Sequence, residues 1–149
     1  MRRKIRLRAP KGFRIQYRKI SYDGRLETVE VELYDRAGNK TYPVGHVSLE
    51  RHTKDSFVTH SNLDQAYWNR GLGTLIYAKA ISWCLNHGYR VRSSGGSSDM
   101  AKRVWSGKGL RQTFDIQKRV RRYTYNTAET WYAYKKGTLD KRKKKGKRK

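Results

Sequence analysis

The sequence predicts an α/β fold of the α+β kind: a mixed, mostly antiparallel central sheet, a tight glycine turn, and one long helix leaving that turn. Three observations carry this. Residues 13–63 alternate apolar and polar side chains, residues 72–87 switch to helical spacing, and "RGLG", ending at Gly73, stands at the junction. A period of two is what a half-buried strand needs, and a spacing of three to four is what a helix needs.

Taken in order, Phe13, Ile15 and Tyr17 mark a first strand, and Val29, Val31 and Leu33 a second. The "YDG" and "DRAGNK" segments supply the Asp and Gly that tight turns favour. Pro43 marks the edge of a third strand, "VGHVSLE", and "SFVTHSNL" makes the fourth, so an antiparallel meander precedes the glycine turn. Leu72, Ile76, Ala80 and Trp83 then form a helical stripe, widened by Leu75, Ile81, Cys84 and Leu85 and stopped at Gly88. A short strand, "YRVRSS", leads through a "GGSSD" loop to a single second helix, "SDMAKRVWSGKG". The segments "TFDIQKRVRRYTYN" and "TWYAYKK" predict a final strand pair, with Tyr132 and Tyr134 beside Trp131 in the core.

The formal charge of +24 is concentrated at the ends. Residues 1–18 hold eight Lys or Arg and no acid, residues 135–149 hold ten against Asp140, and the body between them carries only +7. This divides the chain into a basic N-terminal arm (1–12), a domain (13–134) and a polybasic tail (135–149) expected to be disordered. Charge of this density suits a polyanion, because each neutralised phosphate releases counterions. Nucleic acid or a nucleoprotein is the expected partner. Membrane is not, since the tail lacks a Trp, Phe or Leu cluster and no run approaches a membrane span. Cys84 is the only cysteine, which excludes an intrachain disulfide and a cysteine zinc cluster and suits a reducing cytoplasm.

A strand, a glycine turn and a helix start aim several free backbone N–H groups at one point, with the helix dipole behind them. A phosphate is the natural occupant. A dinucleotide fingerprint would need a third Gly, and a P-loop a Gly-Lys-Ser/Thr; neither follows here. The stretch "LDQAYWNRGLGTLIYAKAI" resembles the pyrophosphate-binding motif of the GCN5-related N-acetyltransferase (GNAT) family. Leu63 precedes "WNRGLG" at the family's spacing, and "SSDMAKRVWSGKGL" is similar to the family's next helix; the resemblance spans roughly residues 25–115. It implies acetyl-CoA, or another acyl-CoA, held by Trp68, Asn69, Arg70, Gly71, Leu72, Gly73 and Thr74, with a carbonyl-polarising amide near Ser61 to Leu63. Compact form and basic arms are similar to small phage-encoded members.

The chain departs from the family pattern in four places. Trp68 stands where Gln or Arg is usual, leaving Arg70 as a source of charge. Trp105 occupies the position of the tyrosine that protonates the leaving thiolate. Phe57 and Thr59 match the usual base positions and cannot take a proton. Only "SYDG" replaces the helical segment between the first two strands. The candidate bases are therefore His60, Asp64 and Glu50, and the candidate relays to sulfur are Ser98 and Ser94. Strand alternation points His60 away from the face of Phe57, Thr59 and Ser61 unless a bulge changes the parity.

The "KRVRRYTYN" segment interleaves Lys118, Arg119, Arg121 and Arg122 with Tyr123, and Lys143, Lys144 and Lys145 lie in the tail. Arg grips phosphates and Tyr stacks on bases, so these are the expected nucleic-acid contacts. Two readings stay open: an acyl-CoA-dependent N-acyltransferase working on or beside nucleic acid, and a non-catalytic relative that only binds it. A lysine acceptor, with a pKa of about 10.4, demands a good base, whereas an α-amine at about 7.7–8.0 does not.

Overall fold

The computed structural model describes residues 7–22, 26–37, 41–94 and 99–139. Four strands, β1 (Phe13–Tyr22), β2 (Leu26–Asp35), β3 (Gly45–His52) and β4 (Asp55–Leu63), form the meander. A short 3-10 turn, Gln65–Tyr67, leads to α1 (Leu72–Asn86), then to β5 (Arg90–Arg92). Two short helices follow, α2 (Asp99–Ser106) and α3 (Lys108–Thr113), before the hairpin of β6 (Phe114–Arg122) and β7 (Thr127–Lys135).

The strands make one seven-stranded sheet in the order β1-β2-β3-β4-β5-β7-β6. Only the β4–β5 pairing is parallel, because the chain crosses over through α1 between them. The core lies on one face of the sheet. Val31, Leu33, Val47, Leu49, Val58 and Val91 pack there against Ile76, Ala80, Ile81 and Cys84 of α1 and against Trp105, Leu110 and Phe114. Leu7 packs on this cluster as well, and the Lys79 ammonium donates to its carbonyl.

The other face of β1 to β4 is polar, and several of its charges are paired. Arg18 reaches Glu30 at 3.3 Å and Glu32 at 3.5 Å, and Glu32 is nearly buried. Register puts His46, Ser48 and His60 on this same face, since cross-strand partners point the same way.

Two expectations are corrected here. The single second helix is two, broken at Gly107, where a Cβ would stand 2.9 Å from the Arg103 carbonyl oxygen. Helical backbone then continues to Thr113, so β6 starts one residue later than expected and stops at Arg122. Tyr132 and Tyr134 are only half-buried, on the face opposite Trp131 and Ala133, and the Arg119 guanidinium lies 4.6 Å over the Tyr132 ring.

Candidate active site

The site begins where β4 loses a neighbour. Only Asp55, Ser56 and Phe57 pair with β5, so among the described residues Val58–Leu63 runs on with no strand partner on that side. The end of β5 is tied the other way: Ser93 N donates to Trp131 O at 2.8 Å, and Ser93 Oγ accepts from Trp131 N at 2.9 Å. The sheet therefore opens into a V, floored by α1.

A bulge sets what faces the V. Ser48 pairs with His60 and Leu49 with Val58, which leaves Thr59 as the extra residue on β4. The parity change follows. His60 shares the polar face with Phe57, contrary to simple alternation, while Ser61 turns to the helix face. There its Oγ lies 2.6 Å from the Tyr77 hydroxyl.

The glycine turn closes the wide end. Asn69 (φ 61°) and Gly71 (φ 73°) both take the left-handed conformation, which Asn tolerates and Gly adopts freely. Gly71 is the N-cap of α1 and no side chain caps it, so the first-turn amides are left for something else. They line a cavity of about 350 Å3 with Leu63, Trp68, Asn69, Gly73, Thr74, Arg103 and Val104. A Cβ on Gly73 would meet only Leu63 Cδ2, at 3.8 Å. The fold does not forbid a side chain there; glycine keeps the cavity open. Trp68 donates its indole N–H to Leu63 O at 2.7 Å, which latches the turn to the end of β4.

The residues therefore fit a diphosphate: free amides, a helix dipole and one nearby guanidinium. That guanidinium belongs to Arg103. Arg70, expected in this role, instead lies 5.4 Å over the Phe13 ring and 5.5 Å over the Tyr67 ring. Arg103 was missed because nothing in the sequence says that α2 folds back beside the turn.

A second, small cavity of about 30 Å3 adjoins the first and shares Leu63, Gly73 and Val104 with it. Ser61, Asn62, Tyr77 and His46 also line it. Tyr77 is almost wholly buried, and burial raises its hydroxyl above the ordinary tyrosine range, so it holds its proton at neutral pH. His46 Nε2 lies 2.9 Å from His60 Nδ1, the two rings stack at 5.1 Å, and Glu30 Oε1 stands 3.8 Å from His46 Nε2. Burial holds the His46 imidazole below its ordinary value, with Glu30 pulling the opposite way.

Of the other sequence candidates, Asp64 is exposed at the end of β4, its amide bonded to Val44 O at 2.8 Å. Glu50 holds His52 at 2.8 Å, away from the cavities. Ser94 ends the segment after β5. Ser98, Lys143, Lys144 and Lys145 lie outside the described residues. Trp105 is fully buried and meets the Tyr77 ring edge-on at 6.1 Å, so its position is structural. Lys118, Arg119, Arg121 and Arg122 are exposed along the far half of β6, and Tyr123 is exposed just beyond its end.

The family profile described as Acetyltransferase (GNAT) family matches residues 9–99, well over half the chain. The chain belongs to the GNAT family. Solved GNAT structures share its fold. The ribosomal-protein-S18-alanine N-acetyltransferase of Escherichia coli superposes with TM-score 0.51 at 13% identity, over 76% of this chain and 71% of that one. A GNAT acetyltransferase of Staphylococcus aureus Mu50 gives 0.52 at 16%, over 72% and 69%. The PaiA N-acetyltransferase of Thermoplasma acidophilum, solved in complex with coenzyme A, gives 0.51 at 10%, over 72% of this chain and 61% of that one. At such identities the likeness is one of fold. No curated protein matches the chain by sequence. No helix among the described residues is long and apolar enough to cross a membrane.

Proposed function

We propose that this GNAT protein transfers an acetyl group, or another small acyl group, from acyl-CoA to an amine carried by or held beside nucleic acid. The observation that carries the reading is the cradle: uncapped amides of Gly71 to Thr74 at a cavity that continues into the opening of the sheet. Bound there, acyl-CoA would supply an activated thioester. Arg103 and the α1 amides would hold its diphosphate, and Leu63 and Val104 would flank the cavity leading inward. Tyr77, protonated at neutral pH and lining the small cavity, can give a proton to a departing sulfur. It takes over the role that Trp105 cannot fill.

The hairpin supports this choice of acceptor. Because β7 runs antiparallel to β5, its residues before Trp131 extend past the end of β5 in the direction taken by Val58–Leu63. The exposed tip, with Arg119, Arg121, Arg122 and Tyr123, thus forms the second arm of the V. Phosphates held there would bring an attached amine to the opening. An α-amine of the aminoacyl-tRNA type fits the site, since it is substantially neutral near pH 8 without help. A cytoplasmic, phage-encoded setting belongs to the same proposal and rests on the basic arms.

Labelled acetyl-CoA should pass its label to charged tRNA more than to uncharged tRNA, duplex DNA or a basic protein. Removing residues 140–149, which include eight Lys or Arg, should flatten the salt dependence of tRNA binding; each phosphate no longer neutralised lowers the log–log slope by roughly 0.7–0.9. Label transfer to none of the four would overturn the enzyme reading. Binding without transfer would favour a nucleic-acid-binding GNAT fold, the reading to which buried Trp105 lends weight.

A further inference from the structure

Register carries one row of side chains across five strands on the sheet face turned away from the core. Glu50 on β3, Phe57 on β4, Arg92 on β5, Tyr132 on β7 and Gln117 on β6 are successive cross-strand partners, so they point the same way. Among the described residues, α1, α2 and α3 all pack into the core on the opposite face. Resting on the nucleic-acid part of the reading above, and not on acyl transfer, we propose that the β4–β5–β7–β6 part of this face is a stacking platform for an unpaired nucleic-acid strand.

The rings of the row carry cations. The Arg92 guanidinium lies 4.8 Å over the Phe57 ring, and the Arg119 guanidinium lies 4.6 Å over the Tyr132 ring. The His52 ring runs parallel to Phe57, 5.7 Å away. Phe57, Arg92 and Tyr132 are half-buried, while Arg119 and Arg121 are exposed. A base can stack on such a ring or on the guanidinium above it, and the guanidinium N–H groups can take a phosphate. Arg92 donates to Ser93 O at 3.3 Å and Arg119 to Gln117 Oε1 at 3.4 Å. Both acceptors are neutral, so neither charge is cancelled there. The nearby acids are engaged: Asp55 by Arg90 at 2.8 Å, Asp115 by Lys136 at 3.8 Å and Glu50 by His52 at 2.8 Å.

Charge and spacing select the occupant. Across β1 to β3 the same face holds Glu30 and Glu32, which confines phosphates to the side of Arg92, Arg119 and Arg121. Residues 140–149 hold eight Lys or Arg against Asp140, the wrong sign to cover a cationic surface. Phe57 and Tyr132 stand two strand spacings apart, about 10 Å. Stacked bases in a duplex rise only about 3.4 Å per step. An unpaired strand can splay its bases to reach both rings; a duplex cannot. Arg119 and Arg121 belong to the hairpin arm as well, so the platform adjoins the acceptor side proposed above.

Anisotropy of short fluorescein-labelled oligo(U), oligo(dT) and a duplex of equal length, with the full-length protein, tests this. One of the unpaired strands should bind more tightly than the duplex, and the tighter one names the source as RNA or DNA. Phe57→Leu and Tyr132→Leu remove a ring and keep apolar bulk. Each should weaken that strand by about tenfold and the duplex by less than about twofold, with the salt slope unchanged. Arg92→Gln and Arg119→Gln should each flatten the slope by roughly 0.7, whereas Arg14→Gln, on the acidic half of the same face, should not. An unchanged Kd for acetyl-CoA reports that each variant folds. Photo-crosslinking of a 4-thiouridine-substituted oligo(U) reads the wild-type surface without any variant, and adducts on peptides holding Phe57, Arg92 or Tyr132 are expected. Adducts confined to residues 140–149 or to the hairpin tip, or equal losses for strand and duplex, would overturn the platform and leave nucleic-acid binding standing. No binding of any of the three would overturn both. A dimer that dissociates in Arg92→Gln would put a second copy of the chain on this face and overturn the platform too.

Discussion

The two ends of the opened sheet are built on different terms. At the glycine turn the groups proposed to bind are backbone amides, oriented by the start of α1 and independent of side-chain identity. Past the bulge of β4 the candidates are side chains, Ser61 and Tyr77, whose hydroxyls hold each other at 2.6 Å on the helix face. On that proposal the first end should tolerate departures from a family motif such as Trp68, whereas the second should not, because moving one hydroxyl would remove the chemistry. A main-chain site can therefore persist while the acceptor side is rebuilt around it.

The largest effect is expected where the main-chain site is attacked as main chain. Gly71→Glu places a carboxylate and a strained left-handed residue at the helix start, where a Cβ meets nothing within 4 Å. Folding should survive. Acetyl-CoA affinity measured by calorimetry should fall at least about 100-fold, or ~2.7 kcal/mol. Gly71→Ala introduces the strain without the charge and should cost far less. Equal losses in the two would show that conformation, not charge, governs the cradle.

A smaller and differently distributed effect is expected at the side-chain end. Tyr77→Phe keeps the ring against Trp105 and deletes the hydroxyl that meets Ser61. Turnover should drop about 10-fold, less than many acid–base losses because a thiolate leaves readily. The acetyl-CoA Kd should stay put and stability should change by about 1 kcal/mol. A change in Kd with turnover intact would assign Tyr77 to the cradle instead.

The same division explains what the sequence made legible. The meander, the start of α1 at Leu72 and its stop before Gly88 follow from local periodicity and turn chemistry, and the structure has them. The cradle was legible because a glycine turn before a helix is also local. The break at Gly107 was not, since "SGKG" suits a helix end and gives no sign that a second helix starts there. Nor was the Thr59 bulge, which exists only as a mismatch between β3 and β4. Once that parity is known, His60 meets His46 and Ser61 meets Tyr77; without it, both pairs are invisible. Tyr77 left a faint local signal, a phenol hydroxyl within the buried side of a helix, which the apolar stripe concealed.

The smallest expected effect tests the tolerance of the main-chain end most directly. Trp68 supplies one side-chain hydrogen bond to the turn, its indole N–H on Leu63 O at 2.7 Å, and is otherwise half exposed. Trp68→Phe removes that donor and keeps a ring of similar apolar character. A single neutral hydrogen bond is worth about 1 kcal/mol, so acetyl-CoA affinity should change by less than roughly 5-fold. The amides of Gly71 to Thr74 are held by α1, whose first backbone bond, Leu75 N to Gly71 O at 3.1 Å, does not involve Trp68. A loss approaching that of Gly71→Glu would mean that the latch to β4, rather than the helix, positions the amides. The two ends of the site would then be one side-chain construction, and the contrast between them would fail.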